Sequence, residues 1–118
     1  MAKAKIKSLL PSLREKKRYL VYEVVSRNRF NDALHVNNAI LEAAKELLGS
    51  VGMARAGIIA MNDQWNEDMQ RGVIRVSNRH VDDLKASLVF AGSIDGKEAI
   101  VRSVGASGIL KKAKQKYL

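Results

Sequence analysis

Between Arg18 and Ser26 the chain reads RYLVYEVVS, and both alternating faces of that run are largely apolar. Leu20, Tyr22 and Val24 form one face, and Tyr19, Val21 and Val25 form the other. The β-branched and aromatic content predicts a strand. A strand that is apolar on both sides needs cover on both sides, which places it at the centre of a sheet rather than at an edge. A basic run, Arg14, Lys16, Lys17 and Arg18, leads into it without a break. A rigid core can therefore aim these cations; a solvated basic tail on an ordinary strand is the other reading of the same residues.

The rest of the chain supplies elements to surround that strand. Residues 1–17 lack a clean period and Pro11 restricts the backbone at Leu10, which predicts an irregular basic arm ahead of a single domain over residues 18–118. A helix is expected from about Asp32 to Leu48, with Asn31 or Asp32 as N-cap and Gly49 as its stop. Its inward stripe is Val36, Ile40, Ala43, Ala44 and Leu47. Strands are expected at about Ala56 to Met61, Val73 to Ser77 and Glu98 to Val104, with Asn62 to Asp68 as a polar hairpin loop. Asn78 is the expected N-cap of a second helix, about His80 to Ala91, and Asp95-Gly96 marks a turn. The Gly105 to Gly108 stretch is expected to break the last strand. A short terminal helix then turns Ile109, Ala113 and Tyr117 to one side. The order β-α-β-β-α-β with an added helix is that of an α+β, ferredoxin-like (RRM-like) sandwich, in which the first and third strands are central. Two helices cover one sheet face; the other face is either open or covered by the terminal helix.

The charge is distributed unevenly. The formal net charge is +9, with seven Lys/Arg and one Glu in residues 1–18 and four lysines without an acid in residues 109–118. The segment between them is near neutral, with ten basic and eleven acidic residues. Excess cations at the two ends of a neutral body are the footprint of a polyanion binder. A membrane surface fits less well, because a basic amphipathic helix with large apolar anchors is missing and no run is long enough to span a bilayer. Lys3, Lys5 and Lys7 interrupt any signal-peptide core, and the chain has no cysteine, so a cytoplasmic location is expected.

Little in the sequence supports independent catalysis. His35 and His80 stand on different elements without metal-ligand spacing, and no phosphate-binding glycine loop is present. Asp63, Glu67 and Asp68 read as solvated loop charges rather than a magnesium site. The third strand, GVIRV, lacks the aromatics that stack bases in an RRM, and Tyr19 and Tyr22 face opposite ways. Phosphate-directed binding through the chain ends is the better hypothesis, and it is largely sequence-independent.

Two stretches carry a family likeness. SLREKKRYLVYEV at the head and VDDLKASLVFAGSIDGKEAIVRSVGASGILKKAKQ at the tail resemble the ribonuclease P protein component 2 family, the small subunit of the RNase P and MRP ribonucleoproteins of archaea and eukaryotes. The matching pattern is an L-R-x-K-x-R-Y leader, an acidic helix start, an I-x-R-x-x-G strand and then S-G-x-x-K/R-K-A. The resemblance implies a non-catalytic subunit of the enzyme that removes the 5′ leader from precursor tRNA. In that family the RNA performs the magnesium-dependent hydrolysis, so no cofactor is expected on this chain. It also implies as partners the catalytic domain of the RNase P RNA, the barrel-shaped protein component 3 and, indirectly, precursor tRNA. A homodimer within a heterotetramer is a further arrangement that it admits. By position, Arg14, Lys16, Lys17 and Arg18 fall on the leader motif and Ser107, Gly108, Lys111 and Lys112 on the tail motif; with Lys114 these are the expected RNA contacts. A ribosomal or ribosome-assembly protein with basic extensions, or a small ferredoxin-like oligomeric enzyme or ligand-binding regulator, are the alternative readings of the fold and charge.

Overall fold

The computed structural model describes residues 16–118. The doubly apolar run forms β1 (Lys17–Val25), and it is central: β3 (Arg71–Ser77) pairs antiparallel on one side and β6 (Ile100–Ser107) on the other. β2 (Ile59–Asn66) pairs with β3 and closes a four-stranded antiparallel sheet in the order β2-β3-β1-β6. This is the strand order that the split βαβ arrangement requires.

The two faces of β1 lead into different layers. Leu20, Tyr22 and Val24 point toward α1 (Leu34–Ala56) and α2 (Val81–Leu88). There they meet Val36, Ile40, Leu84 and Leu88 in the main core, together with Ile74 and Val76 from β3. Tyr22 is completely buried, and its hydroxyl donates to Asn37 Oδ1 at 2.6 Å; Asn37 Nδ2 in turn donates to Asn62 Oδ1 at 2.6 Å. Burial pushes the Tyr22 phenol far above its ordinary pKa, so it remains a donor. On the opposite face Val21 and Val73 are sealed by the terminal helix, α3 (Leu110–Tyr117), through Ala113, with Leu110, Tyr117 and Leu118 packed around them. The second sheet face is therefore covered in part by the terminal helix.

Several expected boundaries move, each for a local reason. Gly49 does not end α1 but kinks it: with φ 70 and ψ 178 it leaves helical geometry, and the helix resumes to Ala56, ending at Gly57 in the left-handed region. Glycine adopts that backbone without the Cβ clash other residues meet. Leu47, placed in the inward stripe from its spacing, is exposed, because the kink lies just beyond it. Ala33 holds the N-cap position, with Asp32 Oδ1 accepting from Leu34 N–H at 3.1 Å. β2 begins at Ile59 and takes in most of the expected hairpin loop, with a register irregularity between Ala60 and Trp65 absorbing the polar residues. Ser77, not Asn78, caps the 3₁₀ turn Asn78–His80 ahead of α2, which stops at Leu88. A two-residue hairpin, β4 (Ser93–Ile94) with β5 (Lys97–Glu98), forms around Asp95-Gly96, and β6 consequently starts at Ile100.

The Gly105 to Gly108 stretch does not break β6. The strand continues to Ser107 over a bulge between Val21 and Tyr22, and the ring of Tyr117 occupies the space a Cβ at Gly105 would need. Ile109, expected to face inward, is exposed; Leu110 takes that place.

Replacing Tyr22 by Phe strands the buried Asn37 amide oxygen without its donor. The expected cost is about 1–3 kcal/mol, read as a lower urea midpoint at unchanged m-value.

Candidate nucleic-acid interface

Antiparallel pairing sorts the side chains of the α3-side face into three rows that cross the sheet. Arg102, Glu23, Arg71 and Asn66 form the row at the far end; Gly105, Val21 and Val73 form the middle row; Ser107, Tyr19, Arg75 and Ile59 form the row at the near end. The near end is where β1 starts and where β3 and β6 finish. The two termini of the domain, far apart in sequence, thus become cross-strand neighbours through Tyr19 and Ser107.

The far row is electrostatically closed. Glu23 Oε1 accepts from Arg102 Nε at 2.9 Å and Nη2 at 2.5 Å, while Glu23 Oε2 accepts from Arg71 Nε at 3.0 Å. The Glu23 side chain retains only 15% of its exposure. Hydrogen bonding from Arg102 holds its carboxyl below the ordinary glutamate range, with partial desolvation opposing and Arg71 adding to the effect. Arg71 Nη1 also donates to Tyr117 O at 2.8 Å, and Asn66 Nδ2 donates to Leu118 O at 3.0 Å. This row therefore anchors the C-terminal end of α3.

The near end carries a different balance. Lys16, Lys17 and Arg18 lie there with Arg55 at the end of α1, Arg75 in β3, Arg79 in the 3₁₀ turn, and Lys111 and Lys112 in the first turn of α3. Asp82 and Asp83, in the first turn of α2, are the nearby acids. Among the described residues both salt bridges are made to Glu23, so none of these cations has a carboxylate within ion-pair distance. Arg18 Nε donates instead to the neutral Asn78 Oδ1 at 3.0 Å. Uncompensated cations on ordered elements are what a phosphate backbone neutralises, releasing counterions.

The structure brings together most of the sequence-predicted contacts. Lys16, Lys17 and Arg18 gather with Ser107, Gly108, Lys111 and Lys112 at this end, and Lys16, Arg18, Gly108, Lys111 and Lys112 are exposed. Ser107 Oγ accepts from Ile109 N–H at 3.2 Å, shaping the turn into α3. Lys114 lies apart, in a groove lined by Asp63, Glu67 and Asp68. Arg14 and the basic arm over residues 1–15 lie outside the described residues. Arg55, Arg75 and Arg79 escape a reading of the sequence because each is a single charge within a nearly neutral segment. The alternation of Val73 with Arg75 in β3 is the signal that could have placed Arg75 on the Tyr19 face. Among the described residues no group of three or more His, Asp or Glu side chains is placed to hold a metal ion, and no helix is long and apolar enough to cross a membrane.

The family model described as the Rpp14/Pop5 family matches residues 18–118, nearly the whole described domain. This chain belongs to the Rpp14/Pop5 family. Its curated relatives include "Ribonuclease P protein component 2" of Pyrococcus furiosus, 38% identical over 112 residues that cover 95% of this chain and 91% of the relative. The same-named protein of Methanosarcina mazei is 34% identical over 113 residues, covering 96% and 93%. A chain in the cryo-EM structure of yeast ribonuclease MRP shares the fold at a TM-score of 0.59 and 15% identity, covering 88% of this chain and 86% of that one. The family likeness drawn from the leader and tail motifs thus extends to the domain as a whole, and membership places the chain among ribonucleoprotein subunits.

Glu23 provides a pH test of the α3 anchor. Its folded pKa is depressed, so at acid pH the unfolded chain binds the extra proton first. The stability contributed by the Arg71–Glu23–Arg102 row is present above the ordinary glutamate range and is lost as pH falls through the lower folded value. Urea unfolding at neutral pH and at about pH 3 should show that loss in the native protein. Glu23→Gln should be less stable at neutral pH and should lack that part of the pH dependence.

Proposed function

We propose that this chain is a non-catalytic protein subunit of ribonuclease P, supporting a catalytic RNA in removal of the 5′ leader from precursor tRNA. The observation that carries the reading is the conjunction of family membership with a sheet end whose cations lack carboxylate partners among the described residues. Lys16, Lys17, Arg18, Lys111 and Lys112 neutralise phosphates where strands of a folded RNA approach one another, with Ser107 and Gly108 allowing close approach at the turn between them. Arg14, on the leader motif, and Lys114, set apart in its acidic groove, complete the proposed phosphate contacts. Neutralisation by protein replaces part of the magnesium a folded RNA otherwise needs to hold its active form. The hydrolytic magnesium belongs to the RNA in this reading, and the chain itself holds no cofactor.

The protein partner in this reading is the barrel-shaped ribonuclease P protein component 3. Val89 and Phe90, at the end of α2, are 79% and 61% exposed, and Leu34 and Leu47 are exposed on α1. Apolar side chains on the helical layer suit a protein contact and leave the cationic end free for RNA. The work would take place in the cytoplasm, where precursor tRNA is processed in an archaeal-type cell.

Affinity capture of the tagged chain from its own cells tests the reading. A ribonuclease P RNA recovered with a barrel-shaped protein is the expected outcome. Ribosomal RNA in its place would favour a ribosome-assembly role, and recovery of no RNA would overturn RNA binding altogether. In a reconstituted processing assay, reversing charge at Lys111, Lys112 and Lys114 together should raise the magnesium concentration required. An unchanged magnesium optimum would count against their role.

A further inference from the structure

α3 covers one row of the sheet face only in part. Its inward residues seat on Val21 and Val73 and its C-terminal end is tied to Arg71 and Asn66, while Ile109, just ahead of it, is 52% exposed. The near row, Ser107–Tyr19–Arg75–Ile59, therefore lies at the mouth of the helix–sheet contact. Ile59 is 49% exposed, and Tyr19 and Arg75 are half-buried. Register places Arg75 between Tyr19 on β1 and Ile59 on β2.

The Arg75 guanidinium is unusual for this protein. Its Nε is buried and has no hydrogen-bond partner, and no carboxylate lies within ion-pair distance among the described residues. By contrast, Arg71 and Arg102 on the same face are engaged with Glu23. An orphaned buried donor on a cation costs stability, and a planar cation beside an aromatic ring is a surface on which a flat π-system stacks. The Lys17 ammonium completes the surroundings. It lies beside Gly57, at 3.6 Å from where a Cβ would stand, two residues before Ile59.

Aromatic ring, guanidinium, aliphatic side chain and ammonium together fit a ligand with a flat apolar face and an attached anion. An unpaired nucleotide has both. Neither of two other aromatics can serve a second base on this face: Tyr22 is buried under the helical layer beside Trp65, and Tyr117 is packed over Gly105.

From this arrangement we infer that Tyr19, Arg75 and Ile59 form a platform for one unpaired RNA nucleotide, its base stacked on Tyr19 and Arg75 and its phosphate paired with Lys17. The platform rests on the RNA-binding reading above and adds to it a single-strand contact that does not read sequence. Stacking accepts any base, so the preference it creates is for unpaired over duplex RNA.

The test uses the whole chain with two defined probes: a short single-stranded oligoadenylate carrying one 2-aminopurine, and an RNA duplex of the same length. The native protein should bind the single strand and quench the 2-aminopurine. Tyr19→Leu keeps an apolar side chain against the α3 cluster and should weaken single-strand binding about tenfold, with the quench abolished and much less effect on the duplex. Tyr19→Phe should restore both signals. Arg75→Gln should weaken the single strand several-fold, and it decides the matter if circular dichroism shows Tyr19→Leu to be unfolded. Lys111→Ala with Lys112→Ala should instead weaken both probes and flatten the salt dependence, by about one unit of slope for each phosphate the protein no longer neutralises. Single-strand binding and quenching that are unaltered in Tyr19→Leu and Arg75→Gln would overturn the platform while leaving RNA binding intact. A native protein that binds neither probe at low salt would overturn both.

Discussion

The two-sided burial of β1 is the constraint on which the remaining structure depends. Leu20 and Tyr22 on one face and Val21 on the other are removed from solvent altogether. Burying a side chain of this size contributes about 1.5–3 kcal/mol, so neither face can be left wet. One layer, α1 and α2, is built by the two crossover connections that a split βαβ topology already contains. The other face has no such helix, and among the described residues the chain beyond β6 supplies its cover. α3 is thus a requirement of the central strand.

The cover is short, and its shortness shapes the surface. Eight residues of helix supply one buried alanine and a few partly buried neighbours, enough for the middle row of the face. Four lysines on the remaining faces of the helix repel one another and resist deeper burial. Anchorage comes from the far row, where Glu23 holds Arg71 and Arg102 in place and Arg71 donates to the last turn of the helix. With the far row closed by Glu23 and the middle row sealed, the near row stays partly exposed, and among the described residues its cations have no carboxylate partners. The polarity of the molecule reflects this difference: Arg71 and Arg102 are paired with Glu23 at one end of the sheet, near the acids Asp63, Glu67 and Asp68, and the cations at the other end have no such pair among the described residues.

Bringing the leader and the tail together is likewise a consequence of strand pairing. Lys17 and Lys111 are separated by most of the chain, yet β1 and β6 are neighbours in register from Tyr19 to Val25. Two modest basic segments become one surface because the last strand pairs beside the first, which is the property of this topology that a ribonucleoprotein subunit can use.

By itself the sequence determined the parts governed by short-range rules. The alternation in RYLVYEVV specifies a central strand, the 3.6-residue spacing of Val36, Ile40, Ala43 and Ala44 specifies the helix that packs on it, and the clustered lysines concentrate positive charge at the two ends of the chain. The leader and tail motifs specify the family. Tertiary structure decided what depends on residues distant in the chain: that Gly49 kinks a helix instead of ending it, that β6 runs through its glycines because Tyr117 needs the space at Gly105, and that Ile109 faces outward. It alone decided which arginines are neutralised. Arg71, Arg75 and Arg102 are equivalent as letters, but register sets two of them beside Glu23 and the third beside Tyr19, and an ion pair forms only where opposite charges come within a few ångströms of each other.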